Sequence, residues 1–190
     1  MFTKKNKYFL FIENIKDIDL KNIKIRDKFS IIYRNNKNID NLDNLLIFRR
    51  KCKLKGIKLY IANNSALAVS LNSDGIYLSS FNKSLSSLNL IKSNFEIIGS
   101  AHNFKEILLK EKQGCSFIFL SKLFIVDYDK KAPYLGVVKF NNFTKISKKI
   151  IPLGGIKITN LNSLRNTISE GLAILSEVKK KPANIINRLF

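Results

Sequence analysis

Eight short apolar runs, separated by more polar segments, constrain the fold of this chain more than any other feature of its sequence. The runs are rich in Ile, Leu, Phe and Tyr and show little polar alternation, which is typical of strands buried on both faces of a parallel sheet. They occupy residues 8–13, 30–34, 57–62, 76–78, 95–99, 116–121, 150–153 and 172–175. Since a helical or irregular crossover follows each run, the sequence predicts an α/β fold, and eight such units predict a (β/α)8 TIM barrel.

The length of the chain limits how that barrel is built. A total of 190 residues lies just below the usual lower bound of about 200 for this fold, so the crossovers must be short. We expect one barrel domain that spans residues 1–190. An open, doubly wound sheet is the alternative, but no G-x-G-x-x-G motif follows the first apolar run.

Several crossovers begin with an asparagine that can cap a helix. These are Asn63 or Asn64, Asn103, and Asn160, the last of which predicts a helix over residues 161–169. Residues 177–190 are predicted to form a last helix that Pro182 interrupts. Residues 122–133 form the longest stretch without a helix or strand signal, and a long ordered loop in a compact domain is usually functional.

A pair of glycines after the seventh run predicts a phosphate-binding site. Gly154 and Gly155 allow a ligand to approach the backbone closely, and Ile174, Leu175 and Ser176 end the neighbouring eighth run. In barrels of this kind, the loops after the last two strands and a short final helix bind phosphate through backbone amides. The simpler interpretation is a plain strand-to-helix turn.

The formal charge of +20 and the pI near 10.0 would suit a polyanionic partner if the cations were clustered. However, the lysines are spread along the chain together with many Asn and Ile residues, as a codon bias toward A and T would produce. The sequence contains neither arginine-rich runs nor a recognisable nucleic-acid motif. We therefore expect no specific nucleic-acid partner, while a basic face that attracts anions in general stays open.

The cysteines and the amino-terminal segment indicate the compartment. Cys52 and Cys115 lie far apart without a C-x-x-C spacing, so neither a zinc site nor a disulfide framework is indicated. Residues 8–12 form an apolar run too short for a signal sequence or a membrane span. The sequence predicts a cytoplasmic protein with no membrane contact.

Residues 73–78 (SDGIYL) are similar to the motif A-D-G-V-H-L, and residues 98–103 (IGSAHN) are similar to G-x-S-x-H. Residues 113–136 are similar to G-A-D-Y-x-x-x-S-P-V-F-x-T-x-S-x-P-G-A-x-x-L-G, and residues 151–156 (IPLGGI) with 172–178 (LAILSEV) are similar to P-V-x-A-L-G-G-I and V-A-V-V-S-A-I. These are motifs of the superfamily of thiamine phosphate synthases and thiazole tautomerases, small phosphate-binding barrels that the chain resembles. The order and spacing of the motifs match from about residue 30 to the end of the chain, although no single motif is specific.

This resemblance implies an enzyme of thiamine biosynthesis. The family's synthases join hydroxymethylpyrimidine diphosphate to a thiazole phosphate and release pyrophosphate with the help of Mg²⁺. The phosphorylated small molecules would be the partners of this chain, with the thiazole phosphate on Gly154, Gly155 and residues 174–176. Ser100 matches the family's serine near the substrate.

The residues expected around the diphosphate differ more from the family. The family's Q-x-R-x-K strand end falls on Ile32, Arg34 and Asn36, so Arg34 is the retained catalytic cation. The two metal-binding aspartates fall on Asn63 and Asn82. In the loop after the sixth strand, Lys122 and Lys130 are candidates for binding the diphosphate.

Three other functions are compatible with the same residues. His102, the single histidine of the chain, could act as the general base of a metal-independent thiazole tautomerase-like isomerase. A non-catalytic barrel could retain the phosphate site alone. Charge-driven association with nucleic acid would depend steeply on salt. Neither the substrate nor the oligomeric state follows from the sequence.

Overall fold

All eight predicted strands form, and they build one parallel sheet that nearly closes into a barrel. The computed structural model describes residues 7–35, 40–86, 88–91, 95–180 and 182–189. The strands are β1 (Lys7–Ile12), β2 (Phe29–Tyr33), β3 (Lys58–Ala62), β4 (Gly75–Leu78), β5 (Glu96–Ala101), β6 (Phe117–Leu120), β7 (Ile150–Pro152) and β8 (Gly171–Ile174). Their hydrogen-bonded order is β7-β6-β5-β4-β3-β2-β1-β8, so β8, the last strand of the chain, pairs with β1, the first. This is the predicted (β/α)8 TIM barrel.

The crossovers are short, as the length of the chain requires. The helices are α1 (Leu42–Leu54), α2 (Ser65–Ser70), α3 (Leu88–Ile91), α4 (Phe104–Lys112), α5 (Gly136–Ile146), α6 (Ser176–Lys180) and α7 (Pro182–Arg188). Two single 3-10 turns, Ile15–Asp17 and Leu20–Asn22, replace a helix between β1 and β2, and a longer 3-10 segment, Ile158–Asn166, lies between β7 and β8.

Aromatic side chains fill the interior of the barrel. Alternate strand residues point inward, because successive side chains of a strand face opposite sides of the sheet. The rings of Phe9 and Phe119 lie 4.9 Å apart between centroids, and those of Phe11 and Tyr77 lie 5.2 Å apart, both edge to face. Such pairs add to the stabilisation that burial itself provides. The buried interior consists of Phe9, Phe11, Ile32, Tyr60, Tyr77, Ile98, Phe119, Ile151, Leu153 and Ala173.

The remaining strand residues face outward and pack against the crossovers. Leu45, Phe48 and Cys52 form the buried face of α1, for example. Cys52 and Cys115 are both buried and free. No helix in the described ranges is long and apolar enough to cross a membrane.

Most of the predicted caps are confirmed. Asn64 and Asn103 each accept a backbone hydrogen bond in the first turn of α2 and α4. Asn41 does the same in α1, where no cap is predicted from the sequence. Asn160 is different, since it lies inside the 3-10 segment and its side chain joins Lys157 N to the carbonyl of Gly155. The predicted α-helix over 161–169 is therefore wrong. Helices α6 and α7 lie on either side of residue 181, which is outside the described residues, as is residue 190, so the break at Pro182 stays a prediction.

Candidate active site

A cavity of about 380 Å³ lies at the carboxyl ends of the strands. This end of a TIM barrel carries the active site in essentially every characterised enzyme of the fold. Six strands contribute residues to the cavity, either from the strand itself or from the loop that follows it. They include Arg34 after β2, Tyr77 of β4, Ser100 of β5, Ser121 after β6, Gly154 after β7 and Ser176 after β8.

Backbone amides cluster where β7 and β8 end. Gly154 and Gly155 have φ angles of 91° and 69°, which residues with a side chain rarely adopt. Among the described residues, no protein acceptor faces the N–H groups of these glycines. Ser176 begins α6 beside them, and the first amides of a helix have no partner within it. Both groups line the cavity and can donate to an anion.

The glycine at position 155 also has a packing role. A Cβ atom there would lie 2.5 Å from the carbonyl oxygens of Phe124 and Ile125. The amide of Phe124 donates to the carbonyl of Gly154 at 3.1 Å, which ties the loop after β6 to the turn after β7. Gly155 is therefore needed for the approach of this loop, whether or not a ligand binds.

An aspartate of the same loop joins two lysines at this end of the cavity. Asp127 accepts hydrogen bonds from Lys157 and from Lys180, the latter at 2.8 Å. These hydrogen bonds lower the pKa of Asp127 to about 2, with the bond from Lys157 as the largest cause. The carboxylate thus lies between two cations where a phosphate group would also bind.

The floor of the cavity carries a buried hydroxyl pair. Tyr77 donates to Ser100 Oγ at 2.8 Å, and both side chains are almost fully buried. Burial raises the pKa of Tyr77, while the hydrogen bond to Ser100 and the charge of Arg34 partly oppose this increase. Tyr77 therefore stays protonated at neutral pH, and Arg34 is near enough to act on it electrostatically.

His102 pairs with a serine on the cavity wall. Its Nδ1 atom lies 2.9 Å from Ser121 Oγ and 3.2 Å from the Ser121 carbonyl oxygen. The His102 backbone amide donates to Glu106, within the cap of α4. Both residues line the cavity, so the imidazole and the hydroxyl can form hydrogen bonds with a ligand there.

Asn63 and Asn82 stand where the family's two metal-binding aspartates are expected, and their side chains form hydrogen bonds with other parts of the protein. Asn63 Oδ1 accepts from the Ser79 amide at 3.0 Å and lies 3.4 Å from Asn82 Nδ2. Asn82 Oδ1 accepts from the Ser84 amide at 3.0 Å. Both side-chain oxygens therefore hold the loop after β4, and neither residue lines the cavity.

The structure brings most of the predicted site residues together. Those that line the cavity are Arg34, Ser100, His102, Lys122, Gly154, Gly155, Leu175 and Ser176. Ile174 does not line the cavity, because its side chain is buried on the outer face of the sheet, and Lys130 is exposed outside the cavity. Asn36 lies outside the described residues.

Sequence reasoning missed three groups of the cavity. Tyr77 lies in the motif SDGIYL, but nothing in this motif indicates a role for the Tyr77 hydroxyl. Ser121 is the last residue of the sixth apolar run. Its position at the carboxyl end of a barrel strand could have identified it as a residue of the active site. For the pairing of Asp127 with Lys157 and Lys180, the sequence offers no signal, because the three residues lie in separate loops and a helix.

Comparisons with known proteins identify the family. The fold and the cavity define a TIM barrel with a candidate active site at the carboxyl ends of its strands. Residues 4–178 match the thiamine monophosphate synthase family, and the chain belongs to it.

Curated relatives in this family are moderately similar. A thiamine-phosphate synthase of Flavobacterium psychrophilum is 27% identical over 151 residues, which cover 74% of this chain and 73% of the relative. A thiamine-phosphate synthase of Prochlorococcus marinus subsp. pastoris is 29% identical over 140 residues. That match covers 72% of this chain but 40% of the longer relative.

A solved structure shows the same fold. The thiamine phosphate pyrophosphorylase from Pyrococcus furiosus superposes with a TM-score of 0.77 at 17% identity. The match covers 97% of this chain and 93% of that one. At this identity, the likeness supports the barrel fold.

Proposed function

We propose that this chain is a thiamine phosphate synthase-like transferase that acts on small phosphorylated substrates in the cytoplasm. In the proposed reaction, the ring nitrogen of a thiazole phosphate attacks the methylene carbon of hydroxymethylpyrimidine diphosphate. The bond from this carbon to the diphosphate oxygen breaks, and its electron pair leaves with pyrophosphate. The family match supports this reaction.

The observation that carries the proposal is the arrangement of donors around one cavity. Free amides of Gly154 and Gly155 and the start of α6 at Ser176 lie at the ends of β7 and β8 and suit a phosphate. Arg34, at the end of β2, supplies a guanidinium that can bind a diphosphate with two hydrogen bonds. Two anionic groups can therefore be held at separate strand ends.

The chain's residues do not fit a magnesium ion at the expected place. Mg²⁺ prefers carboxylates together with substrate phosphates, whereas Asn63 and Asn82 are neutral and their oxygens accept hydrogen bonds from the loop. The described residues contain no group of three or more His, Cys, Asp or Glu side chains that could hold a metal. We propose a degenerate metal site, with Arg34 and Lys122 facing the charge of the leaving diphosphate.

The test is a direct assay with both precursors. We expect pyrophosphate release that requires both substrates and that changes less than about twofold when EDTA replaces Mg²⁺, since no step depends on a protein-bound metal. Complementation of a bacterial strain that lacks its thiamine phosphate synthase provides the cellular readout. Absence of turnover with and without Mg²⁺ would contradict the synthase function.

The pair formed by His102 and Ser121 favours a second function, a metal-independent isomerase. Proton transfer within a thiazole ring needs a base within reach of the ring, and His102 lines the cavity. Replacing His102 by Asn should then lower isomerisation by about a hundredfold. If isomerisation by the variant equals that of the wild type, His102 has no such role.

A further inference from the structure

One lysine of the chain has a buried ammonium group. Lys110 lies in α4, and its side chain is fully buried. Its stem crosses the backbone of β5, where a Cβ atom at Gly99 would lie 2.8 Å from Lys110 Cδ. A buried lysine is costly unless each of its protons has an acceptor.

Three neutral oxygens satisfy this ammonium. Lys110 Nζ donates to the carbonyl oxygens of Ser79 at 2.7 Å and Asn82 at 2.8 Å, and to Gln113 Oε1 at 2.8 Å. An ammonium has three N–H donors, so all of them are used. Burial lowers the pKa of Lys110, while Cys115 and Glu106 oppose this effect through their charges.

Gln113 extends the same network. Its side chain is fully buried, and its amide donates to the carbonyls of Asn82 at 3.0 Å and Ser84 at 2.7 Å. Lys110 and Gln113 together therefore bind three carbonyl oxygens of the 79–84 loop. The other side of this loop is held by Asn63, which accepts from the Ser79 amide.

The 79–84 loop forms part of the cavity. Ser79, Ser80 and Phe81 line it, and the first two are almost fully buried. The loop also carries Asn82, whose neutral amide replaces a carboxylate that could have bound a cation. Hydrogen bonds from a charged donor are stronger than those between neutral groups, so we expect Lys110 to hold this loop more strongly than the neutral amide of Gln113 does.

We propose that Lys110 is a positioning residue of the candidate active site. Its buried ammonium holds the 79–84 loop as a fixed wall of the cavity. Lys110 thus supplies a cation that stabilises this loop, which binds no metal through Asn63 and Asn82. This inference rests on the function proposed above. It gives Lys110 the role of ordering one wall of the cavity that faces the substrate.

The first experiment measures hydrogen exchange in the folded protein without substrate. Lys110→Met keeps an apolar stem but removes the ammonium. We expect the backbone amides of residues 79–86 to exchange about tenfold faster or more, because a charge-assisted hydrogen-bond network is lost. Exchange in β1, β2 and β8 should not change. The matched control is Lys112→Met, which alters an exposed lysine of the same helix.

The second experiment measures kinetics with the two precursors. A loosened wall must be ordered when substrate binds, so KM for the pyrimidine diphosphate should rise about tenfold while kcat changes less than about threefold. Should Lys110→Met fail to fold, Lys110→Gln replaces it in both experiments, since the amide keeps one donor for the loop carbonyls without the charge.

The outcomes separate the two proposals. A wild-type protein without turnover contradicts the proposed reaction, while the exchange measurement still decides the role of Lys110. Unchanged exchange of residues 79–86 overturns the inference about Lys110. Exchange that rises equally throughout β5 and α4, with an unchanged KM, also overturns it, because that result describes a purely structural residue.

Discussion

Arg34 is the residue on which the proposed reaction depends most directly. It lines the cavity, and its charge acts on Tyr77 across the floor. Arg34→Met should lower kcat/KM by about a hundredfold, because a cation that faces developing negative charge is lost. Arg34→Lys should recover a part of this loss, since a lysine cannot bind a diphosphate with two parallel hydrogen bonds. Steady-state assays of pyrophosphate release provide the measurement.

The control for this prediction is Arg50→Met, which removes an equal charge from the exposed surface of α1. Its kcat/KM should equal that of the wild type. If Arg34→Met retains more than half of the wild-type kcat/KM, Arg34 does not contact the reacting groups.

We expect an anion bound at the proposed phosphate site to compete with Asp127 for Lys157 and Lys180. Removal of its charge in Asp127→Asn should free Lys157 and Lys180, so that inorganic phosphate binds about threefold to tenfold more tightly. Titration calorimetry on this variant, the wild type and the exposed-site control Asp43→Asn measures the effect. Weaker phosphate binding by Asp127→Asn would show that the carboxylate orders the site instead.

The pKa of Asp127 defines the pH range in which its carboxylate competes with an anion for the two lysines. Its folded-state pKa of about 2 lies below the ordinary value of 3.8. The ion pairs with Lys157 and Lys180 are therefore complete above pH 3.8 and are lost as the pH falls toward about 2. The ratio of the phosphate affinities of wild type and Asp127→Asn should be constant from pH 5 to 8, as the same titrations will show.

Residues with a backbone role could be predicted better than residues whose role depends on distant partners. The sequence shows that Gly154 and Gly155 are two adjacent glycines at a strand end, which suits a turn as well as a ligand, but the contact of Gly155 with Phe124 and Ile125 depends on a loop that folds back from β6. Lys110 has no sequence signal. It occupies an ordinary position in an amphipathic helix, and its burial follows from the carbonyls of the 79–84 loop.

At the scale of elements, the amino-terminal end of the barrel is held by one carboxylate. Glu96, at the start of β5, accepts hydrogen bonds from Tyr60 at 2.6 Å, Ser116 at 2.7 Å and Lys58 at 2.8 Å. It thus connects β3, β5 and the start of β6. Burial alone would raise the pKa of Glu96, but the three hydrogen bonds together lower it.

Glu96→Gln should lower the free energy of unfolding at pH 7 by about 1–3 kcal/mol, because charged hydrogen bonds are lost in a half-buried site. Since the folded-state pKa of Glu96 is lowered, its contribution is complete above the ordinary value of 4.5 and is lost as the pH falls below it. Denaturant unfolding between pH 3 and 7 should therefore show a weaker pH dependence in the variant. Glu111→Gln, on the exposed face of α4, should behave as the wild type does.

Strands were predictable along this chain because each is an apolar run buried on both faces, whereas the crossover after β7 was not. Asn160 resembles a helix cap, but its side chain joins Lys157 and Gly155 within one turn and stabilises a 3-10 segment. The local pattern cannot distinguish these two uses of an asparagine, because in both the side-chain oxygen accepts a hydrogen bond from a nearby backbone amide.

For the whole molecule, a charge of +20 raises the free energy of the folded state through repulsion among the cations. Salt screens this repulsion, so the melting temperature should rise with NaCl for the wild type and for any variant of similar charge. A phosphate site adds a different effect, because a ligand that binds the folded state alone stabilises it according to its concentration and Kd.

The two effects can be separated by comparing sodium phosphate with NaCl at equal ionic strength. Phosphate should raise the melting temperature of the wild type by about 2–4 °C more than NaCl does. The double variant Lys157→Met/Lys180→Met should lose this additional increase, because both cations beside the amides of Gly154, Gly155 and Ser176 are absent. Lys51→Met/Lys53→Met removes the same charge from exposed positions of α1 and should retain the increase. If both double variants retain it, phosphate acts through the general charge of the chain, and the site at the ends of β7 and β8 is not its binding place.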